Sequence, residues 1–231
     1  SSLYAGCYFT VAIVQLISLG FLAGVRIPKP VRSASGGRPI GAFFKMPVFI
    51  VGAISAAIGY AMMSYMMTAT PLQIVNVVKL GTSANATIIQ WHVVAMFAPA
   101  FFTGNLIARF GIGTILTSGV VIYFAAIAFA LLGDGFWWYF TALTLMGLGW
   151  NFLFIGGSSL VASVATAEER GRVQGIADLG TTTFVATASF AAGALHSQLG
   201  WTIMVLAALG PVTMIALALI WLAMQRRKQP A

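Results

Sequence analysis

Seven long apolar runs fill this chain, at roughly 3–25, 46–75, 87–108, 112–133, 136–165, 173–196 and 201–224, and the widest gap between them is about 20 residues, at 26–45. A helix needs about 20 apolar residues to cross the hydrocarbon of a bilayer, and there the backbone must satisfy its own hydrogen bonds. The expected fold is therefore an all-α integral membrane protein with seven transmembrane helices and no room for a soluble domain. Composition agrees, because 60% of the residues are hydrophobic and only 7% are charged, against about 25% charge in soluble domains.

The net charge of +8 comes from 12 Lys+Arg against 4 Asp+Glu. A nucleic-acid surface would need those bases clustered on one face of a soluble domain. Here they fall in the gaps between apolar runs, so no nucleic-acid partner is expected. Alternate gaps hold Arg26, Lys29, Arg32, Arg38 and Lys45, then Arg109, then Arg170 and Arg172, then Arg226, Arg227 and Lys228; the other set holds only Lys79. This bias predicts a multi-pass orientation with a cytoplasmic C-terminus. Trp137, Trp138, Tyr139 and Trp201 then gather at the outer side as an interfacial aromatic belt. A rhodopsin-like seven-helix reading lacks its mid-helix lysine, and the single cysteine, Cys7, excludes an intrachain disulfide between outer loops. The opening SSLYAG has neither Met nor a charged region, so it does not read as a signal peptide, and more chain is expected before it.

The gap at 26–45, RIPKPVRSASGGRPIGAFFK, carries three prolines, five bases and no acid. That composition suits a flexible basic linker at the cytoplasmic surface, or simply a positive-inside loop. It divides the chain into a single helix (1–25), the linker (26–45) and six helices (46–231). Those six split into two triplets. The first helix of each is long and is expected to be interrupted, one by SYMMTATP with Pro71 and the other by GLGWNFLFIGGSS. An odd number of spans per triplet inverts the second relative to the first, and matched interruptions in inverted repeats point to a transport site.

Two loops sharpen this. GNLIARFGIG places Gly104, Leu106, Arg109 and Gly111 so that they resemble the G-x-L-x-D-R-x-G loop signature of the major facilitator superfamily, with Ala108 where that family has its aspartate. The glycines would permit a tight turn. TAEERGRVQG, residues 166–175, is similar to a later loop of the same family, and Thr166 and Glu169 have capping-box spacing. The whole chain thus resembles the sixth helix, central linker and C-terminal six-helix half of such a transporter. MTATPLQI and IQWHVVAMFAPAFFTG are similar to a bacterial branch that includes riboflavin-type permeases. The resemblance implies a secondary transporter in a bacterial inner membrane. It would move a small organic solute by alternating access, with a missing N-terminal six-helix half as partner. A reading of another class stays open: a non-transporting scaffold or assembly subunit of a larger membrane complex.

Polar side chains within the spans are the candidates for the work, since hydrocarbon makes each of them costly. Tyr60, Ser64 and Thr68 recur every four residues on one stripe, beside Tyr65 and Met62, Met63, Met66 and Met67. Thr144, Gly147, Asn151 and Ser158 share a face of the fifth span. Gln90 and His92 lie on the third. For the hydroxylic residues helix packing is the alternative role, for the methionines core filling, and for His92 a neutral bond to a neighbouring helix. Asn151 and Gln90 are expected to face inward. Asp178 is the single acid inside a span, about 8 Å deep. It would serve in proton coupling or as a gate held ionised by an arginine or by backbone N–H groups. No pair of facing acids, no serine beside a base and no Cys/His cluster suits an enzyme or a metal site. The GxG at 147–149 lacks the strand–helix unit of a nucleotide site, and no cofactor is expected.

Overall fold

The computed structural model describes residues 5–25 and 37–227, which fall into two units divided after residue 36. The first unit is helix α1, Ala5–Gly24, of 20 residues and about 30 Å. Its side chains from Tyr8 onward are exposed all round; they are mostly apolar, and the Thr10 and Ser18 hydroxyls bond carbonyls of their own helix, leaving Gln15 as the remaining polar side chain, a pattern that lipid tolerates. Residues 26–36 of the expected linker lie outside the described residues.

The second unit comprises α2 (Ile40–Phe43), α3 (Pro47–Pro71), α4 (Thr82–Phe97), α5 (Ala100–Phe110), α6 (Ile112–Leu131), α7 (Phe136–Ser163), α8 (Arg170–Ala207) and α9 (Leu209–Arg227). Among the described residues four helical stretches are long and apolar enough to cross a membrane, namely Pro47–Val77, Ile112–Leu131, Phe136–Ser163 and Arg170–Arg227. The pair α4 and α5, bent by 43°, makes a fifth if taken as one span. The last stretch has 58 residues, about 87 Å if straight and nearly three hydrocarbon thicknesses. It cannot be one crossing. Its path breaks at Gly200, where φ is 75° and ψ 176°. Arg172 at its start bonds the backbone of Arg38, whose guanidinium reaches the Val164 carbonyl. Arg226 near its finish shares a groove with Leu160, one turn before Val164. The stretch therefore returns to the end it left, and it reads as two passes.

Helices α3 and α7 form the centre of the second unit, and the other long helices pack around them. The two approach closely where glycine meets glycine. A Cβ added to Gly52 would sit 2.8 Å from the Gly157 carbonyl oxygen, and one added to Gly157 would sit 2.6 Å from that of Gly52. Small residues permit such backbone approach in membrane helices. Tyr123 of α6 is wholly buried and donates its hydroxyl to the Gly59 carbonyl of α3 at 2.6 Å.

Two expectations are corrected here. Helix α7 runs unbroken from Phe136 to Ser163, so GLGWNFLFIGGSS is no interruption; its glycines make room for neighbours. The pronounced break lies instead at Pro99, between α4 and α5. Pro99 has no N–H to give, and its ring excludes the carbonyl one turn back. Of the expected aromatic belt, Trp137 and Trp138 are exposed, but Tyr139 and Trp201 are buried and packed ring to ring at 5.4 Å. The Trp201 indole donates to the Ala130 carbonyl at 2.8 Å, so both rings serve the interior.

Candidate functional site

Pro71 ends the regular part of α3, and the chain continues through a wide π-helical turn, Leu72–Val77. Before that turn, one face of α3 is open. Tyr60 and Ser64 are partly exposed and Thr68 is exposed, whereas Met62, Met63, Tyr65 and Met66 on the opposite face are buried. The four-residue stripe is thus real, and it separates the candidates into two groups. Tyr65 falls on the wrong side of it. Its hydroxyl donates to the Met204 carbonyl at 3.0 Å inside the core, which leaves nothing for a solute. Three of the four methionines are core filler, and only Met67 is partly exposed.

Ser64 crosses to α8, its hydroxyl 2.7 Å from that of Ser189. An aromatic group adjoins the stripe. Trp150 and Phe154, one turn apart on α7, stack at 5.2 Å with an interplanar angle of 8°. Tyr60 meets them edge-on at 5.3 and 5.4 Å, and Phe97 of α4 meets Trp150 at 5.8 Å. Gln90 is exposed, contrary to the inward placement expected for it inside the bundle. It stands seven residues before Phe97, two turns away on the same helix face.

Asn151 is fully buried, and both ends of its amide are engaged. Its Nδ2 donates to the Met96 carbonyl at 2.7 Å, and its Oδ1 accepts from the Thr103 hydroxyl at 2.5 Å. Thr103 also lies 2.8 Å from the Pro99 carbonyl, so one proton serves two acceptors. The expected inward orientation is observed, but the partner is the freed backbone of the α4–α5 bend. His92 is likewise buried. Leu143 offers its Nδ1 a carbonyl at 2.7 Å; a carbonyl only accepts, so Nδ1 carries the proton. His92 Nε2 and the Thr144 hydroxyl are buried without partners.

Asp178 is exposed, and the group that reaches it is the Gln174 amide, at 2.9 Å. Among the described residues neither an arginine nor a helix-start N–H holds it. That arrangement belongs to Glu169, which sequence reasoning treated only as a cap. Arg38 donates to Glu169 Oε1 through its backbone N–H at 2.8 Å and its Nε at 3.0 Å, and to Oε2 through a terminal nitrogen at 2.6 Å. Thr166 N–H adds 3.0 Å to Oε2, which is half of the expected capping box. The Arg38 side chain, then these backbone groups, hold the Glu169 carboxyl well below the usual carboxylate range. Arg38 also lies 4.7 Å over the Phe43 ring, and Phe43 is buried. The described end of the linker is therefore docked rather than loose.

In the loop signature, Gly111 has φ 83° and makes the turn between α5 and α6. Gly104 is different: it lies inside α5 and faces open space. Arg109 is exposed, its guanidinium 5.2 Å over the Phe110 ring. A cavity of about 840 Å³ lies between α6, α7 and α9, and none of the candidates lines it. A second, of about 430 Å³, lies between α8 and the start of α3, with Phe44, Phe49, Ile54 and Phe184 in its wall. Sequence reasoning missed a cross-link near the Gly200 break, where His196 Nε2 is 2.9 Å from Gln73 Oε1.

A helical membrane protein with paired central helices and one open polar and aromatic face is the class that these features define. Residues 80–231 match the family profile of the Major Facilitator Superfamily, and the chain belongs to that superfamily. Riboflavin transporter RfnT of Brucella anthropi is 39% identical over 206 residues, which is 87% of this chain and 51% of that protein. The uncharacterized MFS-type transporter YdeG of Bacillus subtilis is 31% identical over 154 residues, 65% of this chain and 34% of that protein. A second from Bacillus subtilis, YddS, is 30% identical over 166 residues, 69% of this chain and 37% of that protein. The chain thus spans about half the length of the first relative, or less for the other two. The match fits the C-terminal half of such a transporter.

Proposed function

We propose that this chain works as the C-terminal half of a secondary transporter that moves riboflavin or a similar small organic solute by alternating access. The supporting observation is the 39% identity to a riboflavin transporter, sustained over 87% of the chain. In this reading residues 1–25 are the last helix of a preceding half, 26–45 the linker and 46–231 the second half. The basic end of the bundle lies at the cytoplasmic face of a bacterial inner membrane. The open face of α3, α4, α7 and α8 would meet the other half around the solute. Tyr60, Thr68 and Gln90 fit that face, and Ser64 lies on it with its hydroxyl tied to Ser189. Tyr65 and Asn151 do not, since their polar groups are committed inside the half. Asp178 is exposed on α8, and its part as proton carrier or gate belongs to this proposal. The work is carriage rather than catalysis.

The test is uptake of labelled riboflavin by proteoliposomes containing the full-length protein. Saturable accumulation that collapses with the driving gradient is expected. Binding without transport would favour the scaffold reading, and neither binding nor transport would exclude riboflavin as the solute. In the same vesicles, loss of gradient-driven uptake by Asp178→Asn with exchange preserved indicates coupling. Loss of both, or leakage, indicates a gate, and wild-type behaviour removes Asp178 from the mechanism.

A further inference from the structure

Four aromatic rings from three helices meet on the open side of this bundle, and the grouping is graded in exposure. Trp150 is 6% exposed and forms the floor. Phe154 and Tyr60 are partly exposed beside it, and Phe97 is 57% exposed at the margin. Aliphatic side chains would fill the same space at less cost in specific geometry. Rings held in a parallel pair with edge-on flanks instead give a flat, polarised surface that suits another flat π-system. The Trp150 indole N–H is buried and has no acceptor among the described residues. An unpaired donor in an apolar setting is costly, and a heterocycle with acceptors on its rim supplies what it lacks.

The polar groups lie to one side of this surface. From Tyr60 the α3 stripe continues through Ser64 to Thr68, eight residues or about 12 Å along the axis. On α4, Gln90 lies about 10 Å from Phe97 along its helix. Both tracks lead from the rings toward the end of the bundle that holds the Pro71 turn and the start of α4. A ring platform with hydroxyl and amide groups on one side matches a flat heteroaromatic ring that carries a hydroxylated tail.

We propose that Phe97, Tyr60 and Phe154 form the ring-stacking subsite for the flat heterocycle of the solute, with Trp150 as its floor and N–H donor to the rim and Thr68 and Gln90 reading the tail. Ser64 is tied to Ser189 and holds α3 to α8 at this level. The proposal rests on the transporter reading above and adds residue roles to it.

The experiment uses the full-length protein with two probes, riboflavin and a tail-less alloxazine ring. Phe154→Leu, Tyr60→Leu and Phe97→Leu should each weaken binding of both probes by about fivefold to a hundredfold, the range for loss of one stacking partner. Phe154→Tyr and Tyr60→Phe, which keep a ring, should bind both probes within about twofold of wild type. Thr68→Val and Gln90→Leu should weaken riboflavin alone. If the leucine variants bind both probes as wild type does, the platform is wrong while the transporter reading stands. If leucine and ring-keeping variants lose binding alike, the rings serve packing and the proposal also fails. If the wild-type protein binds neither probe and takes up no riboflavin, the transporter reading itself has failed.

Discussion

Asn151 and Glu169 do similar jobs at different depths, and each uses chemistry suited to its surroundings. Both gather otherwise loose backbone onto one side chain. Asn151 lies inside α7 and holds the broken α4–α5 span through Met96 and Thr103. Glu169 lies just before α8 and holds the linker end through Arg38, and the turn through Thr166. Within hydrocarbon an ionised group is expensive, so a neutral amide that both donates and accepts is the economical clamp. At the surface a carboxylate can recruit a guanidinium in a forked pair, a stronger arrangement. The comparison says that the deep clamp should be indifferent to pH and salt and the surface clamp sensitive to both.

Removing the deep clamp should have the largest effect. Asn151→Leu leaves the Met96 carbonyl buried and unpaired, for a loss of about 1–3 kcal/mol, read as a fall in thermal midpoint of the purified full-length protein. Asn151→Asp keeps the shape but cannot donate to Met96 when ionised, so it should be at least as damaging at neutral pH and milder in acid. If Asn151→Leu melts like wild type, the amide is not what stabilises the bend. Thr103→Val should lose less, because Asn151 Oδ1 alone is orphaned and the Pro99 carbonyl loses only a shared proton.

Next in size is the surface clamp. Glu169→Gln should free the segment from Gly37 to Phe43, seen as a several-fold rise in its amide exchange or protease cleavage, with little change in the thermal midpoint of the bundle. Salt should produce part of the same effect in the wild type, since screening reaches Arg38, which is 39% exposed, although Glu169 is only 4% exposed, and none at Asn151. Equal exchange in Glu169→Gln and wild type would mean that Phe43 packing alone docks the linker.

A smaller change follows from acid alone. The folded carboxyl of Glu169 is depressed below its ordinary value, so its contribution is complete above about pH 4.3, the unfolded value. It is lost as pH falls from there through the depressed folded value. Exchange at Gly37–Phe43 should be flat between pH 7 and 5, after correction for intrinsic rates, and should rise only below that. A midpoint near pH 6 to 7 would point to a different titrating group and undo the assignment.

These two clamps also mark what could be read from the sequence. The apolar runs place the helices within a few residues, because hydrocarbon leaves the chain few alternatives. Glu169 was legible as a local cap, since its spacing to Thr166 is short-range, but Arg38 stands far away in sequence and no local pattern links them. Periodicity put Tyr60, Ser64 and Thr68 on one face, and they are. It could not say that neighbouring Tyr65 ends on a carbonyl of α8, because the face opposite depends on tertiary packing. The glycines of α7 look like a break in isolation, yet beside α3 and α6 they are contact surfaces. Pro99 was the stronger signal, and its significance emerged only with the Asn151 amide set against it.

The smallest effect is expected near the Gly200 break, where Gln73 meets His196. This pair is slightly longer than the deep clamp, 2.9 Å against 2.7 Å, and it also joins two interrupted stretches, the π-helical turn and the segment before Gly200. Its depth differs, because His196 is partly exposed and stands four residues before that break. Water can replace a partner lost at the His196 side of the pair, although Gln73 is only 6% exposed, whereas none is at hand for Met96. His196→Leu should therefore cost less than about 1 kcal/mol. A double-mutant cycle of His196→Leu with Gln73→Leu should give a coupling energy below that of Asn151→Leu with Thr103→Val. If the two cycles give equal energies, burial does not set the strength of these clamps, and the contrast between deep and shallow polar links in this bundle collapses.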